Sequence, residues 1–164
     1  MKNLSLIAAI GENRELGYNN DLIWHIKEDM KFYREMTWGK NIIMGRKTLE
    51  SLPKVALRGR FPIVLTSQTI ENTELIQYYK DLKSLLQLVA RSEEEFMVIG
   101  GSSVYQQFLP YVDTMYLTSI SDSVERVADC YFPEFYLNDW NIELLKEGVS
   151  NTATYKINKY IRKK

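Results

Sequence analysis

A mixed, mainly parallel β-sheet of the α/β class, flanked by helices and extended by a C-terminal antiparallel hairpin, is the fold that this sequence predicts. Three observations carry that expectation. Short apolar runs rich in β-branched residues alternate with stretches of helical periodicity along most of the chain, as in strands joined by crossover helices. From Trp140 onward the apolar residues alternate singly with polar ones around one turn. At 164 residues the chain matches a single domain, residues 1–164, burying roughly two thirds of its unfolded surface around one core.

The first strand is expected from Leu4 to Ile10. Its apolar run is short and meets Gly11-Glu12-Asn13-Arg14 with no small-residue cleavage pattern, so it reads as a buried strand rather than a leader. Further strands are expected at Asn41 to Met44, Pro62 to Thr66, Glu74 to Gln77, Phe96 to Ile99 and Thr114 to Ser119. Helical spacing falls between them, at Lys27 to Trp38, Lys47 to Ser51, Leu82 to Ala90 and Ser102 to Phe108. At the end Trp140, Ile142 and Leu144 form one alternating set. Gly148 to Thr152 offers a turn, and Tyr155, Ile157 and Ile161 return at even spacing.

Asp29 is the outlier in this pattern. At 100 degrees per residue, Met30, Phe32, Tyr33, Met36 and Thr37 fan out on either side of it, while Lys27, Lys31, Arg34 and Glu35 take the opposite side. An ionised Asp buried without a partner costs several kcal/mol, on the order of a domain's whole stability. Either backbone amides and buried water satisfy it, or its place is kept for a ligand carrying hydrogen-bond donors.

Composition narrows the partners. The 21 basic residues balance the 21 acidic ones with no long run of either sign, which argues against a nucleic-acid surface or a polybasic membrane patch. A lone cysteine, Cys130, and a lone histidine, His25, exclude an internal disulfide and argue against a metal cluster. No stretch approaches transmembrane length. The reading is therefore an intracellular protein with a small-molecule partner.

In a parallel sheet, ligands bind beyond the carboxyl ends of the central strands. Three segments fall there. In Ile42 to Thr48 a strand turns through Gly45 into a helix start bearing Arg46, Lys47 and Thr48, a combination suited to phosphate. The glycine spacing of a nucleotide-triphosphate P-loop is absent, so a kinase or ATPase reading fails. In Phe96 to Tyr105 the Gly100-Gly101 pair permits close backbone approach, leaving room for a diphosphate at the next helix, although such a pair also simply ends strands. The third, Val64 to Gln68, carries small hydroxyls that could meet a phosphate or ribose or merely form a turn.

Taken together, Leu6-Ile7-Ala8-Ala9, Gly17 with Asn20, Trp24 five before Asp29, Ile43-Met44-Gly45-Arg46-Lys47-Thr48, Leu57 with Gly59-Arg60, Leu65-Thr66-Ser67, Val98-Ile99-Gly100-Gly101 and Tyr116-Leu117-Thr118 resemble the bacterial dihydrofolate reductases. The resemblance runs from about Leu4 to the final strand. It implies NADPH-dependent reduction of 7,8-dihydrofolate and binding of antifolate inhibitors; with nothing in the sequence suggesting a subunit interface, a cytoplasmic monomer is the expectation.

It also implies roles for particular residues. Asp29 would meet the amino-pyrimidine edge of the pterin, Thr118 would hydrogen-bond the same edge, and Trp24 would hold an ordered water there. Ile7, Ala8, Leu22, Met30, Tyr33, Leu52, Leu57 and Ile99 would line the substrate, and Arg60 would take a carboxylate of its glutamate tail. For the cofactor, Ala9 and Ile99 would flank the nicotinamide, with Tyr105 packed near it. Gly100, Gly101, Ser102, Ser103 and Val104, with Gly45, Lys47 and Thr48, would hold the diphosphate. Arg46 and Ser67, beside Thr66 and Gln68, would take the 2′-phosphate, favouring NADPH over NADH. Leu16, Gly17 and Asn20 belong to a mobile loop, Leu16 to Leu22, that would close over the reaction. His25 is set aside as the acid, because the residue after the loop tryptophan usually points away from the pterin in this family.

The chain departs from the family's usual pattern in several places. Ile23 and Lys27 stand where prolines are customary, Leu52 to Arg60 carries an extra residue, and Ser103 replaces a frequent arginine. Asp122 to Asp129 is a longer distal loop that lacks its familiar glycine. Two other readings stay open: a same-fold reductase of another pteridine or a ribosylamino-pyrimidine, and a folate- or NADPH-binding paralogue without turnover.

Overall fold

Strand residues that alternate between two buried faces place one hydrophobic core above the sheet and another below it. The computed structural model describes residues 1–164. Its strands are β1 (Leu4–Gly11), β2 (Glu15–Tyr18), β3 (Asp21–Leu22), β4 (Asn41–Gly45), β5 (Phe61–Leu65), β6 (Gln77–Tyr79), β7 (Phe96–Gly100), β8 (Thr114–Asp122), β9 (Cys130–Tyr131), β10 (Trp140–Ser150) and β11 (Ala153–Arg162). The helices are α1 (Lys27–Thr37), α2 (Arg46–Ser51), α3 (Leu82–Arg91) and α4 (Ser102–Phe108). Eight strands form one sheet in the order β10-β11-β8-β1-β7-β4-β5-β6. The pairs from β8 through β6 are parallel, and β11 runs antiparallel to both β8 and β10. The mixed sheet with its antiparallel margin is thus the predicted one.

Alternation explains why both faces are covered. Leu4, Leu6, Ile43, Ile63, Phe96, Val98, Met115 and Leu117 join Leu85 and Val89 of α3 and Val104, Tyr105 and Phe108 of α4 in the larger core. Ile7, Ile42, Met44, Val64, Met97 and Ile99 face the other way, against Phe32, Tyr33 and Met36 of α1 and Leu49 of α2. Asp81 caps α3 by accepting the Ser84 backbone N–H at 2.7 Å. By contrast α1 begins at Ile26 with no side-chain cap; Glu28 and Asp29 in its first turn and Arg34 in its last oppose the helix dipole with the favourable signs. No helix is long and apolar enough to cross a membrane.

Four expectations shift, each for a local reason. Trp38 is the cap residue of α1 with extended backbone, since Gly39 at φ +73 turns the chain away. The strand expected at Glu74 to Gln77 lies instead at Gln77–Tyr79, because Thr73 Oγ1 accepts the N–H groups of Leu75 and Ile76 and bends that segment into a turn. The final turn is tighter than Gly148 to Thr152: Ser150 pairs with Ala153, and Asn151 takes φ 52. Gly148 stays in β10, where a Cβ would come within 2.6 Å of the Tyr155 hydroxyl. The Leu16 to Leu22 loop is largely a hairpin of β2 and β3 joined to β9 in a second sheet, with Asn19 and Asn20 supplying the two positive φ angles of its turn.

The central parallel strands leave no room for truncation. Leu6 is fully buried. Leu6→Ala is expected to lower unfolding stability by about 2–5 kcal/mol through lost burial and the cavity left behind, with an unchanged m-value in urea titration; a loss below about 1 kcal/mol would contradict this packing.

Candidate active site

The parallel register of β1 with β8 sets Ala9 beside Thr118, and β8 thereby carries a hydroxyl to the first turn of α1. Thr118 is 2% exposed, and its Oγ1 donates to Asp29 Oδ1, the closest polar contact in the cleft. No protein donor reaches Asp29 Oδ2. Since no buried side-chain polar atom in the chain lacks a partner, that oxygen is open to solvent. Asp29 itself is half-buried. Burial raises its carboxyl above the ordinary range, and the Thr118 bond opposes that rise. The result is an acceptor with no cation bound to it at the mouth of an apolar wall.

Apolar residues form that wall. Ile7 and Ile99 are nearly buried, Tyr33, Leu52 and Leu57 are half-buried, and Met30 and Leu22 are exposed at its rim. The Tyr33 hydroxyl makes no protein hydrogen bond, and burial pushes its phenol up to about 12, with the nearby Arg60 charge opposing. Ala8 turns its side chain into the α3 and α4 core, which leaves only its backbone toward the cleft. Tyr105 is buried, and its hydroxyl donates to the Ile7 carbonyl at 2.6 Å, locking β1 to α4.

Arg60 is built in from three sides. Its Nε donates to Thr37 Oγ1 at 3.1 Å, and its terminal nitrogens donate to the carbonyls of Arg58 at 2.7 Å and Arg34 at 2.8 Å. Its guanidinium also lies 5.1 Å from the Trp38 ring centre. Gly59 makes that stacking possible: at φ +78 it sits so close that a Cβ would come within 2.3 Å of the indole. The hydroxyl of fully buried Thr37 was visible in the sequence as a polar group on the apolar face of α1. Its use by Arg60, 23 positions away, was not.

The segments expected at the cofactor also converge. A Cβ on Gly101 would lie 3.5 Å from Thr48 Oγ1, and one on Gly45 would meet Val104 at 3.2 Å, so the starts of α2 and α4 abut. The Gly100–Gly101 peptide is cis, and Gly100 has φ +124. Lys47 and Ser103 are exposed there, while Ser102 Oγ donates to the Tyr131 carbonyl at 2.6 Å. Arg46 is paired with Glu50 one helical turn on. Thr66 is nearly buried, its hydroxyl accepting the Gln68 N–H, and Ser67 and Gln68 are exposed at the end of β5. Val104 and Leu16 direct their side chains into the larger core.

The loop over the cleft is tied down on two sides. Asn20 Nδ2 donates to the Lys47 carbonyl at 3.3 Å, Asn19 N–H to Asp129 Oδ2 at 3.0 Å, and Asp129 N–H to the Gly17 carbonyl at 3.0 Å. The Trp24 indole N–H donates to Asp122 Oδ2 at 3.0 Å, so its donor goes to protein rather than to the water expected of it. Sequence reasoning missed Asp122, which lies 98 positions away and in no motif. His25 is exposed, its Nε2 3.8 Å from Asp21 Oδ1. Cys130 is a half-buried thiol in β9, raised by burial. A cavity of about 940 Å³ is lined by Gly11, Arg14, Phe135 and Tyr155 among others and contains none of the residues expected at the site.

Comparison with known proteins gives one family. A family model described as dihydrofolate reductase matches residues 3–162. The dihydrofolate reductase of Buchnera aphidicola is 39% identical over 150 residues, covering 91% of each chain. That of Bacillus subtilis is 36% identical over 148 residues, covering 90% of this chain and 86% of its own. That of Neisseria meningitidis is 37% identical over 164 residues, covering 99% of each.

The raised Asp29 carboxyl has a consequence for stability. Below the unfolded-state pKa the group is neutral in both states; as pH rises through the folded-state pKa the folded chain bears the cost of ionising it. Asp29→Asn is therefore expected to melt higher than the parent at pH 7 without ligand, the difference vanishing in acid. Scanning fluorimetry across pH measures this, and an equal or lower melting temperature at pH 7 would refute it.

Proposed function

Because the chain belongs to the dihydrofolate reductase family, we propose that it reduces 7,8-dihydrofolate to 5,6,7,8-tetrahydrofolate as a cytoplasmic monomer, supporting one-carbon and thymidylate metabolism. The observation that carries the reading is the Asp29–Thr118 pair, an acceptor open on one oxygen inside an apolar cleft. A nicotinamide cofactor fits the residues present: glycines at two abutting helix starts leave space that a Cβ would fill, and Arg46, Lys47, Thr48 and Ser103 supply side-chain donors for phosphate. When bound as NADPH, it supplies the hydride that reduces the pterin.

The chain's own residues do the rest. Asp29 Oδ2 accepts from the amino-pyrimidine edge of the pterin, orienting the ring and stabilising its protonated form, while Thr118 holds Oδ1 in place. Because the pairing edge lies away from the nitrogen that gains the proton, Asp29 favours protonation electrostatically and solvent delivers the proton. Ile7, Met30, Tyr33, Leu52, Leu57 and Ile99 enclose the rings and exclude water, and Leu22 closes the rim. Arg60, already oriented by Thr37 and two carbonyls, offers its remaining N–H groups to a glutamate carboxylate. Arg46 with Ser67 recognises the 2′-phosphate of NADPH, Arg46 sharing its charge between that group and Glu50. Diaminopyrimidine antifolates pair with the same Asp29 carboxylate.

The test is the loss of NADPH absorbance on adding 7,8-dihydrofolate. The parent is expected to oxidise NADPH. Asp29→Asn is expected to cut kcat by about a hundredfold or more, and Arg60→Ala to raise the KM for dihydrofolate roughly 10- to 100-fold, as for loss of a charged hydrogen-bond pair. Saturable binding of both ligands without oxidation would indicate a non-catalytic paralogue. Turnover of pteridines lacking a glutamate tail, insensitive to Arg60→Ala, would indicate a different same-fold reductase. Separately, Arg46→Ala should raise the KM for NADPH about tenfold or more and leave that for NADH nearly unchanged; equal effects on the two would remove Arg46 from the 2′-phosphate site.

A further inference from the structure

Asp122, at the C-terminal end of β8, has a side chain only 4% exposed, and four donors converge on it. Its Oδ1 accepts from the Val124 backbone N–H at 2.9 Å and from Thr152 Oγ1 at 2.7 Å. Its Oδ2 accepts from the Trp24 indole N–H at 3.0 Å and from Arg126 Nε at 2.9 Å. Two acceptances per oxygen satisfy the carboxylate, and Arg126 neutralises it. These bonds, the Val124 amide foremost, hold the carboxyl well below the usual carboxylate range. The donors come from the segment entering α1, from the distal loop and from the β10–β11 turn, so one side chain pins three separate parts of the chain to the end of β8.

What Trp24 touches makes that anchor functional. Its ring packs so closely on the end of β1 that a Cβ on Gly11 would lie 2.6 Å from Cη2, and it joins Ala9, Ile26, Ile120 and Phe32 in one apolar cluster. Ala9 pairs with Thr118, the partner of Asp29, and Asp29 follows Trp24 by five residues. The connection in between has little else to fix it. Ile23 and Lys27 leave backbone torsion free where a proline would restrict it, and Ile26 provides no side-chain cap. The indole N–H makes the only side-chain hydrogen bond of residues Ile23 to Ile26.

We propose that Asp122 is a positioning residue for the reductase reaction: by holding the Trp24 indole from the end of β8, it fixes the junction of the active-site loop with α1 and so the placement of Asp29. The inference rests on the reductase reading, but part of its test does not. The chain has three tryptophans, and Trp24→Phe identifies the Trp24 indole N–H resonance in ¹H–¹⁵N spectra by its disappearance.

In Asp122→Ala that resonance is expected to move upfield and exchange faster with solvent. The kcat for dihydrofolate reduction is expected to fall about tenfold with KM changed less than about threefold, the signature of a misplaced rather than absent binding group. Asp122→Asn, whose amide oxygen can accept from the indole, should recover most of the rate. Because the two residues act as a unit, the double variant Asp122→Ala/Trp24→Phe should lose little more than the worse single variant. Arg126→Ala, which removes a donor from the same oxygen but leaves the indole bond, should lower the melting temperature with the resonance and kcat unchanged. An unshifted indole resonance in Asp122→Ala, additive losses in the double variant, or an equal kcat loss in Arg126→Ala would overturn the proposal. Where Asp122→Ala does not fold, an undiminished kcat in Trp24→Phe overturns it. A parent that oxidises no NADPH removes the reductase reading, while the spectra still decide whether Asp122 holds the indole.

Discussion

A carboxylate set into the apolar face of a helix, with a threonine hydroxyl as its one protein partner, is tolerable only at the edge of a cleft where its free oxygen can meet water or a ligand. Asp29 imposes that condition. Had a cation been supplied on α1, the charge would have been neutralised and the acceptor consumed. Lys27, Lys31 and Arg34 lie on the other side of the helix, so the acceptor remains available. The fold answers by bringing the C-terminal half of β8 under the first turn of α1, where Thr118 fixes one oxygen and leaves the other open. Raised by burial, the carboxyl disfavours its own ionisation in the free protein, which is the stability given up for a ligand site.

The parallel centre of the sheet was readable in the sequence because every strand there is buried on both faces, and continuous apolar runs such as Ile42-Ile43-Met44 and Phe96 to Ile99 record that directly. Glycines at the ends of β4 and β7 and the cations after Gly45 were equally local signals, and the starts of α2 and α4 that they mark abut in the fold. Elements fixed by single side chains were not readable. The turn that displaces β6 depends on the Thr73 hydroxyl, and the β2–β3 hairpin depends on Asn19 and Asn20 accepting left-handed backbone. Periodicity reports burial, and neither of those segments is buried enough to show a period.

The same division runs through the site. Candidates that stand out by their own type and local context, such as Asp29 on an apolar helix face or Gly100-Gly101 after a strand, declare themselves. Residues that act by holding another do not, because their partner is distant in sequence. Thr37 with Arg60, Asp129 with Asn19 and Asp122 with Trp24 become visible only once the chain is folded. A resemblance to a family is read from residues of the first kind. Residues of the second kind lie outside such a motif, since the Trp24 indole N–H donates to Asp122 across 98 positions of sequence.

That difference bears on how a loop can be positioned at all. Proline restricts the backbone covalently, in the unfolded and open states as well as the closed one. A hydrogen bond such as Trp24 to Asp122 acts only when its partners are in register, so it favours one arrangement without stiffening the others. The active-site loop here is held by several such bonds: Asn19 to Asp129, Asn20 to the Lys47 carbonyl, and the indole to Asp122. Each can break separately, and each joins the loop to an element whose position the sheet fixes. A chain that lacks proline at Ile23 and Lys27 therefore obtains order over the cleft from tertiary contacts, with the loop's freedom restored whenever those contacts open.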